Sequence, residues 1–409
     1  MNKVYDAIII GGGPAGLMAA NSLHERNIDY LLLEKNDQLA KKLLLTGGKR
    51  CNITNNLSVP AFIESLNMKH KKFLYPALSN FNSQDILNFF KIRGLTFSLE
   101  QDIKYFPDTG KSQSVRDALL KTIDLNRILY QQSVKSLTYE HDHWVIKTQS
   151  DTYDARNVLV ATGSKAYPTT GSSGDGFMFA ERLGIKLEPL YPAETHVYAD
   201  VVKKELSDLQ GVSIQQAHFR IENSKAKYPG AVLFTHFGLS GPSVLHASED
   251  IARRLEKEEV HVLFSLSEYD ENHVKKEFET SIRKNELLSQ CLDKLLTKRL
   301  VKFVITRLGL DNKHLKSFGA KDLDMIIHNI VNFKVKIDQV ETLEHAFVNA
   351  GGISVKELDP QSMMVKKYPG LYFIGEVTDL QGPIGGFNMT IAFSTAQLAA
   401  KHIDQMIHP

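Results

Sequence analysis

An apolar run from Val4 to Ile10 leads into Gly11-x-Gly13-x-x-Gly16, a helix-spaced segment follows from Pro14 to Arg26, and a second apolar run spans Tyr30 to Leu33. This alternation predicts strand, helix, strand. Residues 57–125 mix helical spacing, with Ser83 as a capping residue before Ile86 to Phe90, and a turn at Phe106-Pro107-Asp108-Thr109-Gly110. Short alternating runs at Ser133–Tyr139, Trp144–Thr148 and Thr152–Tyr153 predict a β-meander, and Val158–Ala161 a strand returning to the main sheet. Beyond Pro189-Leu-Tyr-Pro192, the runs His196–Val201, Gly211–Ile221, Ala231–Thr235 and Val260–Leu266 predict a small barrel or open sheet. From Glu271 to Phe333 the spacing turns helical, with stripes such as Leu288, Cys291, Leu292, Leu295 and Leu323, Ile326, Ile327, Ile330. An apolar strand then ends at Gly375-Glu376, and Gly385-Gly386-Phe387-Asn388 opens an Ala-rich helix over Thr390–Ile403.

These elements predict an α/β fold: a doubly wound, Rossmann-like dinucleotide-binding domain interrupted by a β-barrel-like insert that carries a helical subdomain. The expected division is 1–190 and 345–409 for the nucleotide domain, 191–269 for the β-rich insert, 270–333 for its helices and 334–344 for a return strand.

The glycine run has a chemical reading. Gly11 lets the chain turn out of the strand, Gly13 lets the backbone approach a pyrophosphate, and Gly16 lets the helix pack close to the sheet. Pro14 and Ala15 begin a helix whose N-terminal amides and dipole attract phosphate. Glu34 lies where a carboxylate accepts hydrogen bonds from ribose hydroxyls, which disfavours a 2′-phosphate and points to FAD or NAD. Lys41 to Asn55 forms a polar, glycine-bearing loop in which Gly48, Arg50, Cys51 and Asn52 are suited to holding a flavin ring, and Lys35, Lys42 and Val134 join the cofactor set. Thr162-Gly163 ends a strand beneath the nucleotide, while Gly375 and Glu376 with Gly385, Gly386, Phe387 and Asn388 bring the far end of the chain to the same site. One site built from both ends of the chain is the arrangement of FAD proteins. The helix starting near Asn388 would aim its amides at the anion that develops on a reduced flavin.

Composition refines this picture. The chain has 409 residues, 43% hydrophobic and 23% charged, with a net charge of +2. That balance carries no footprint for nucleic acid or membrane, so a small-molecule substrate is expected. No stretch reaches 18 apolar residues, and the first strand begins too early to leave room for a signal peptide, so a cytoplasmic enzyme is expected. Cys51 and Cys291 stand far apart without a C-x-x-C pair, which argues against a dithiol redox centre. The histidines show no metal-ligand spacing, and no metal is expected.

Several motifs together carry a resemblance. Thr-Gly-Gly-Lys-Arg-Cys-Asn at 46–52, Gly-Ser-Ser-Gly-Asp-Gly at 171–176, Thr-His-Phe-Gly-Leu-Ser-Gly-Pro at 235–242, Ala-Gly-Gly-Ile at 350–353 and Pro-Gly-Leu-Tyr-Phe-Ile-Gly-Glu at 369–376 resemble the BaiN/YhiN-like flavoproteins, also called aminoacetone-oxidase-like FAD enzymes. The resemblance spans essentially the whole chain and implies bound FAD in a domain interrupted by a β-rich insert with a helical subdomain. Lys49 stands where many relatives carry Gly, and Asn349 where relatives often carry Thr; both differences bear on substrate choice.

With flavin carrying hydride chemistry, the protein must supply position and a proton. His236, on the glycine-bearing Thr235–Pro242 stretch, is the candidate proton-transfer residue, and Ser240 is a helix cap or a substrate contact. Three activities fit: an NAD(P)H-linked reductase of an enone-like small molecule, an oxidase passing electrons from an amine such as an aminoketone to dioxygen, or a flavin-binding sensor or RNA-modification protein. No second Gly-x-Gly-x-x-Gly follows a mid-chain strand, so NAD(P)H would act as a transient donor docking at the flavin.

Overall fold

In the computed structural model, which describes residues 3–101 and 103–408, two units separate: Met1–Leu190 with Asn349–Pro409, and Tyr191–Val348. The first is organised by a seven-stranded sheet. Its order is Ile128–Leu129, Tyr30–Leu33, Val4–Ile10, Thr152–Val160, His143–Thr148 and Val134–Glu140, with Leu371–Phe373 also paired to Thr152–Val160. The central pairs are parallel, Ile9 standing opposite both Leu32 and Leu159. Strands covered on both faces read as unbroken apolar runs. Accordingly, Ala7 to Ile10 and Tyr30 to Leu33 are buried throughout.

Thr152–Val160 is one nine-residue strand, where the pattern predicts two pieces. The polar residues between them do not break it because they bridge to the next strand: Arg156 pairs with Asp6, and the Asn157 side-chain amide donates to the Asp6 carbonyl. Its start pairs antiparallel with the meander, and its end pairs parallel with Val4–Ile10 and Leu371–Phe373. The helix cap in the 57–125 region also shifts by one residue. Asn82, not Ser83, caps Ser83–Lys91, because Asp85 three positions on returns a hydrogen bond to the Asn82 amide.

Helices Pro14–Glu25 and Phe387–Ile407 pack side by side, linked by a hydrogen bond of 2.8 Å from the Ser22 hydroxyl to the Gln397 side chain. Ala15 to Leu23 are all buried, so that helix is interior on every side. The C-terminal helix starts at Phe387, beside the expected Asn388, and runs past the predicted Ile403 to Ile407.

The second unit has its own core and two open antiparallel sheets; no barrel closes. One sheet orders Ser213–Ile214, Val232–Phe234, Gly238–Ser240, Val197–Tyr198 and Gln339–Val340; the other orders Lys227–Tyr228, Phe219–Ile221, Val260–Phe264 and Phe333–Ile337. The predicted strand Gly211–Ile221 is therefore divided between sheets, turning at His218 in the left-handed region (φ 48°). His196–Val201 is a strand only at Val197–Tyr198, since Asp200–Glu205 is helical. Helices Glu271–Arg283, Leu288–Leu292, Lys298–Arg307 and Ala320–Val331 bury their apolar stripes in this core.

Candidate functional site

At the end of the first strand, the three fingerprint glycines meet different surroundings. A Cβ on Gly11 (φ 104°) would lie 2.6 Å from the Ala161 carbonyl oxygen, and one on Gly16 only 1.9 Å from that of Gly11. Both are required by packing. Gly13 has ordinary extended backbone (φ −78°, ψ −175°), and a Cβ there would meet nothing within 4 Å. The protein thus leaves an open space beside the N-terminus of Pro14–Glu25, whose first amides have no side-chain cap. Such a terminus presents unsatisfied donors and a positive dipole end.

Glu34 is buried and oriented by three donors. One oxygen accepts from the Gly12 amide at 2.7 Å; the other accepts from the Asn36 amide and side chain at 2.8 and 2.7 Å. A carboxylate has about four acceptor sites, so capacity remains for a hydroxyl. The Gln132 amide donates to the Glu34 carbonyl, which sets the start of the strand at buried Val134 beside this end of the site.

Lys35 does not stand free: it binds the Ser173 hydroxyl at 2.5 Å and Asp175 at 2.8 Å, fixing the 171–176 motif. Lys42 reaches Glu376 with contacts of 2.9 and 2.7 Å across 334 positions of sequence. Glu376 sits in the helical turn Gly375–Val377, beyond the strand that ends at Phe373, and a Cβ on Gly163 would lie 4.0 Å from its carboxylate. Thr162 in turn lies against Gly11.

The loop expected over 41–55 begins as the helix Lys41–Lys49, which breaks at Thr46–Gly48. Gly47, Gly48, Lys49 and Cys51 all adopt left-handed backbone. Arg50 is committed elsewhere, paired with Glu100 and lying 4.3 Å over the Phe106 ring. Burial pushes the Cys51 thiol up to about 11, against a hydrogen bond with Thr46, so the thiol stays protonated and inert. The Asn52 side-chain oxygen and the Thr162 hydroxyl are buried without a partner in the structure.

The C-terminal segment docks on this loop. Gly386 (φ 84°) touches the Thr54 backbone, where a Cβ would come within 2.4 Å, and the Thr54 and Thr390 hydroxyls bond at 2.8 Å. Asn388 closes the preceding turn through the Gly382 amide and carbonyl at 2.9 and 2.6 Å. Phe387 packs on Phe62, and Phe387–Ile407 starts with no side-chain cap. Asn349 accepts a hydrogen bond from the Lys165 amide, a structural duty for that departure from the family pattern.

In the second unit, His236 is exposed on the turn between Val232–Phe234 and Gly238–Ser240, its ring 4.8 Å from that of Phe237. Ser240 ends a strand and does not cap the Pro242–Leu255 helix, which follows Gly241 with no side-chain cap. A cluster missed by the sequence reading lies alongside. His196 also packs on Phe237 at 4.4 Å and approaches Glu341 at 3.3 Å, and the Tyr198 hydroxyl donates to Glu341 at 2.8 Å. Burial lowers the His196 imidazole below its ordinary value against the pull of Glu341. Burial pushes the Glu341 carboxyl up, but the Thr342 amide, Tyr198 and His196 together hold it below the usual range. The alternation of His196 and Tyr198 was visible along the chain; their partner, 143 residues beyond Tyr198, was not.

A glycine turn beneath a helix N-terminus, an acid closing the second strand and a C-terminal helix returned to the first sheet define an FAD-dependent oxidoreductase of Rossmann type. The chain belongs to the family described as HI0933-like protein Rossmann domain, whose model matches residues 5–402. It is 28% identical to the Escherichia coli ribosomal RNA dihydrouridine synthase over 405 residues, 98% of each chain. It is equally 28% identical over 415 residues, again 98% of each, to the 3-dehydro-bile acid delta(4,6)-reductase of Clostridium scindens. The 3-ketosteroid-delta4-(5alpha)-dehydrogenase of Rhodococcus jostii shares the fold, with a TM-score of 0.54 at 14% identity over 98% of this chain and 96% of that one. A relative named for RNA modification stands against the expectation of no nucleic-acid partner. Among the described residues, no helix is long and apolar enough to cross a membrane.

The first unit fits FAD on its own geometry. It has open space over Gly13, two uncapped helix N-termini, and the partnerless buried oxygen of Asn52.

Proposed function

We propose that this protein uses FAD to add two hydrogens across a carbon–carbon double bond conjugated to a carbonyl, and that the bond belongs to a uracil base in RNA. The observation that carries this reading is the match over 98% of both chains to relatives whose names describe that same saturation, of uridine in one and of a delta(4,6) steroid ring in the other. A small enone is the second reading, favoured by the bile-acid relative.

In this reading Gly13 and the start of Pro14–Glu25 hold the pyrophosphate. Glu34 takes a ribose hydroxyl, and Val134 lines the same end. Gly48, Asn52, Thr162, Gly163 and the 385–388 turn hold the flavin end. The Lys42–Glu376 pair braces the two halves of the site, while Lys35, Arg50 and Cys51 support it from behind. FAD held there would supply the hydride chemistry, and NAD(P)H would be its transient reductant. His236 delivers the proton to the carbon next to the carbonyl.

The holoprotein, mixed anaerobically with NADPH or NADH, should lose its flavin colour and regain it on adding a uridine-containing RNA, with two hydrogens gained by the base in nucleoside mass spectrometry. Recovery only with a small enone selects the second reading. Bleaching only by an amine, with peroxide formed on admitting air, refutes both.

Glu34→Ala should lower FAD affinity. It removes the acceptor for a ribose hydroxyl, which is then poorly paired in the complex, at a cost of about 1–3 kcal/mol in binding; the loss of the Gly12 and Asn36 contacts weakens the protein with and without FAD. Titration of apoprotein should show affinity about ten- to a hundredfold weaker; wild-type affinity would remove Glu34 from the ribose contact.

A further inference from the structure

We propose that residues 281–321, the middle of the second unit's helical region, are the surface on which the RNA docks; this rests on the uracil reading above. The net charge of +2 conceals a strong local imbalance, for this stretch holds ten Lys or Arg residues against only Glu286, Asp293 and Asp311. Elsewhere in the unit four exposed cations are paired, Lys204 with Asp200, Lys275 with Glu271, Lys334 with Glu222 and Lys336 with Glu259, while Lys203, Lys225, Lys227, Lys257 and Lys276 are scattered and unpaired among the described residues. What sets residues 281–321 apart is the density of cations with few acids among them.

Some of its cations have structural duties. Lys294 bridges Glu277 and Glu286, Arg299 binds the Asp208 and Gln210 carbonyls, and Arg307 lies over Phe303 and Phe333. Arg283, Lys284, Lys298, Lys302, Lys316 and Lys321 are exposed, and none forms an ion pair among the described residues. Two segments distant in sequence bring part of this set together. The Leu315 amide donates to the Glu286 carbonyl at 2.9 Å, and His314 bonds the Asn285 carbonyl at 2.7 Å, so Lys316 lies beside the turn that follows Arg283 and Lys284. Lys298 and Lys302, four apart, share one face of Lys298–Arg307, which packs against Leu288–Leu292 and Ala320–Val331.

Unmatched, exposed cations carry a repulsion that a polyphosphate chain relieves, releasing counterions as it binds. No large hydrophobic side chain within 281–321 is exposed among the described residues, so the surface lacks the apolar anchors of a membrane or protein docking site. A phosphate backbone is the partner that fits.

The test uses full-length holoprotein and a fluorescent, uridine-containing hairpin RNA, followed by anisotropy between about 50 and 200 mM salt. Lys298→Glu/Lys302→Glu/Lys316→Glu should bind at least about tenfold more weakly, with a log–log salt slope shallower by about two to three. Its flavin spectrum and melting temperature should match wild type, and Lys298→Gln/Lys302→Gln/Lys316→Gln should fall between. If the charge-reversed protein binds RNA as wild type does while wild type still reduces the base, the docking surface is wrong and the uracil reading stands. If wild type fails to bind the RNA at all, both fall.

Discussion

Gly13→Val is expected to cost the protein its FAD while leaving the melting temperature of the cofactor-free protein unchanged. The backbone at Gly13 is extended and acceptable to valine, and a Cβ there meets no protein atom within 4 Å, so the substitution strains nothing in the fold. The new side chain instead fills the space proposed for the pyrophosphate. Forcing atoms into a packed site costs about 3 kcal/mol at the upper end, a loss of roughly a hundredfold in affinity. Gly16→Ala is the control with the opposite signature. Its methyl collides with the Gly11 carbonyl, so it should destabilise the protein by about 1–3 kcal/mol whether or not FAD is present. Titration of apoprotein with FAD, together with thermal melts of apo and holo forms, separates the two. A Gly13→Val protein that binds FAD normally would place the pyrophosphate elsewhere.

His236→Ala should slow turnover per bound FAD by about 10²–10⁴-fold, the usual range for removing a general acid. The side chain is exposed and makes only an edge contact with Phe237, so its loss leaves no buried group unpaired. FAD content, visible spectrum and melting temperature should therefore stay at wild-type values, and the rate effect can be read without a folding correction. An unchanged rate would dismiss His236. Attention would then pass to His196, which packs on the same phenyl ring and has Glu341 as a partner, with His196→Ala as the corresponding measurement.

Much of the fold was legible because local pattern and burial agree. Val4–Ile10 and Tyr30–Leu33 are parallel and covered on both faces, which leaves an unbroken apolar signature. Where tertiary partners decide, the pattern misleads. The Arg156 and Asn157 contacts to Asp6 keep Thr152–Val160 continuous, and Gly211–Ile221 splits because its two ends find different neighbouring strands. The cap expected at Ser83 falls one residue earlier, at Asn82, because the reciprocal contact with Asp85 that fixes it is a matter of side-chain geometry and not of spacing. The candidate site was legible as glycines and acids, since these answer needs of the backbone and of a nucleotide. Its ion pairs were not: Lys42 and Glu376 meet only after the chain has passed through the insert, and Arg50 turns away to Glu100. The unmatched cations of 281–321 vanished in the whole-chain charge, which averages over surfaces that are physically separate.

The return of Leu371–Phe373 and Phe387–Ile407 to the first sheet sets an order of events during synthesis. The insert, a contiguous segment with its own core, leaves the ribosome complete while the Thr152–Val160 strand still lacks its last neighbour. Domains fold as units as they emerge, so the insert forms first and the cofactor is captured among the final steps. Colour then reports completion: a message cut short within the codons for Phe387–Ile407 would yield a folded insert on a colourless chain.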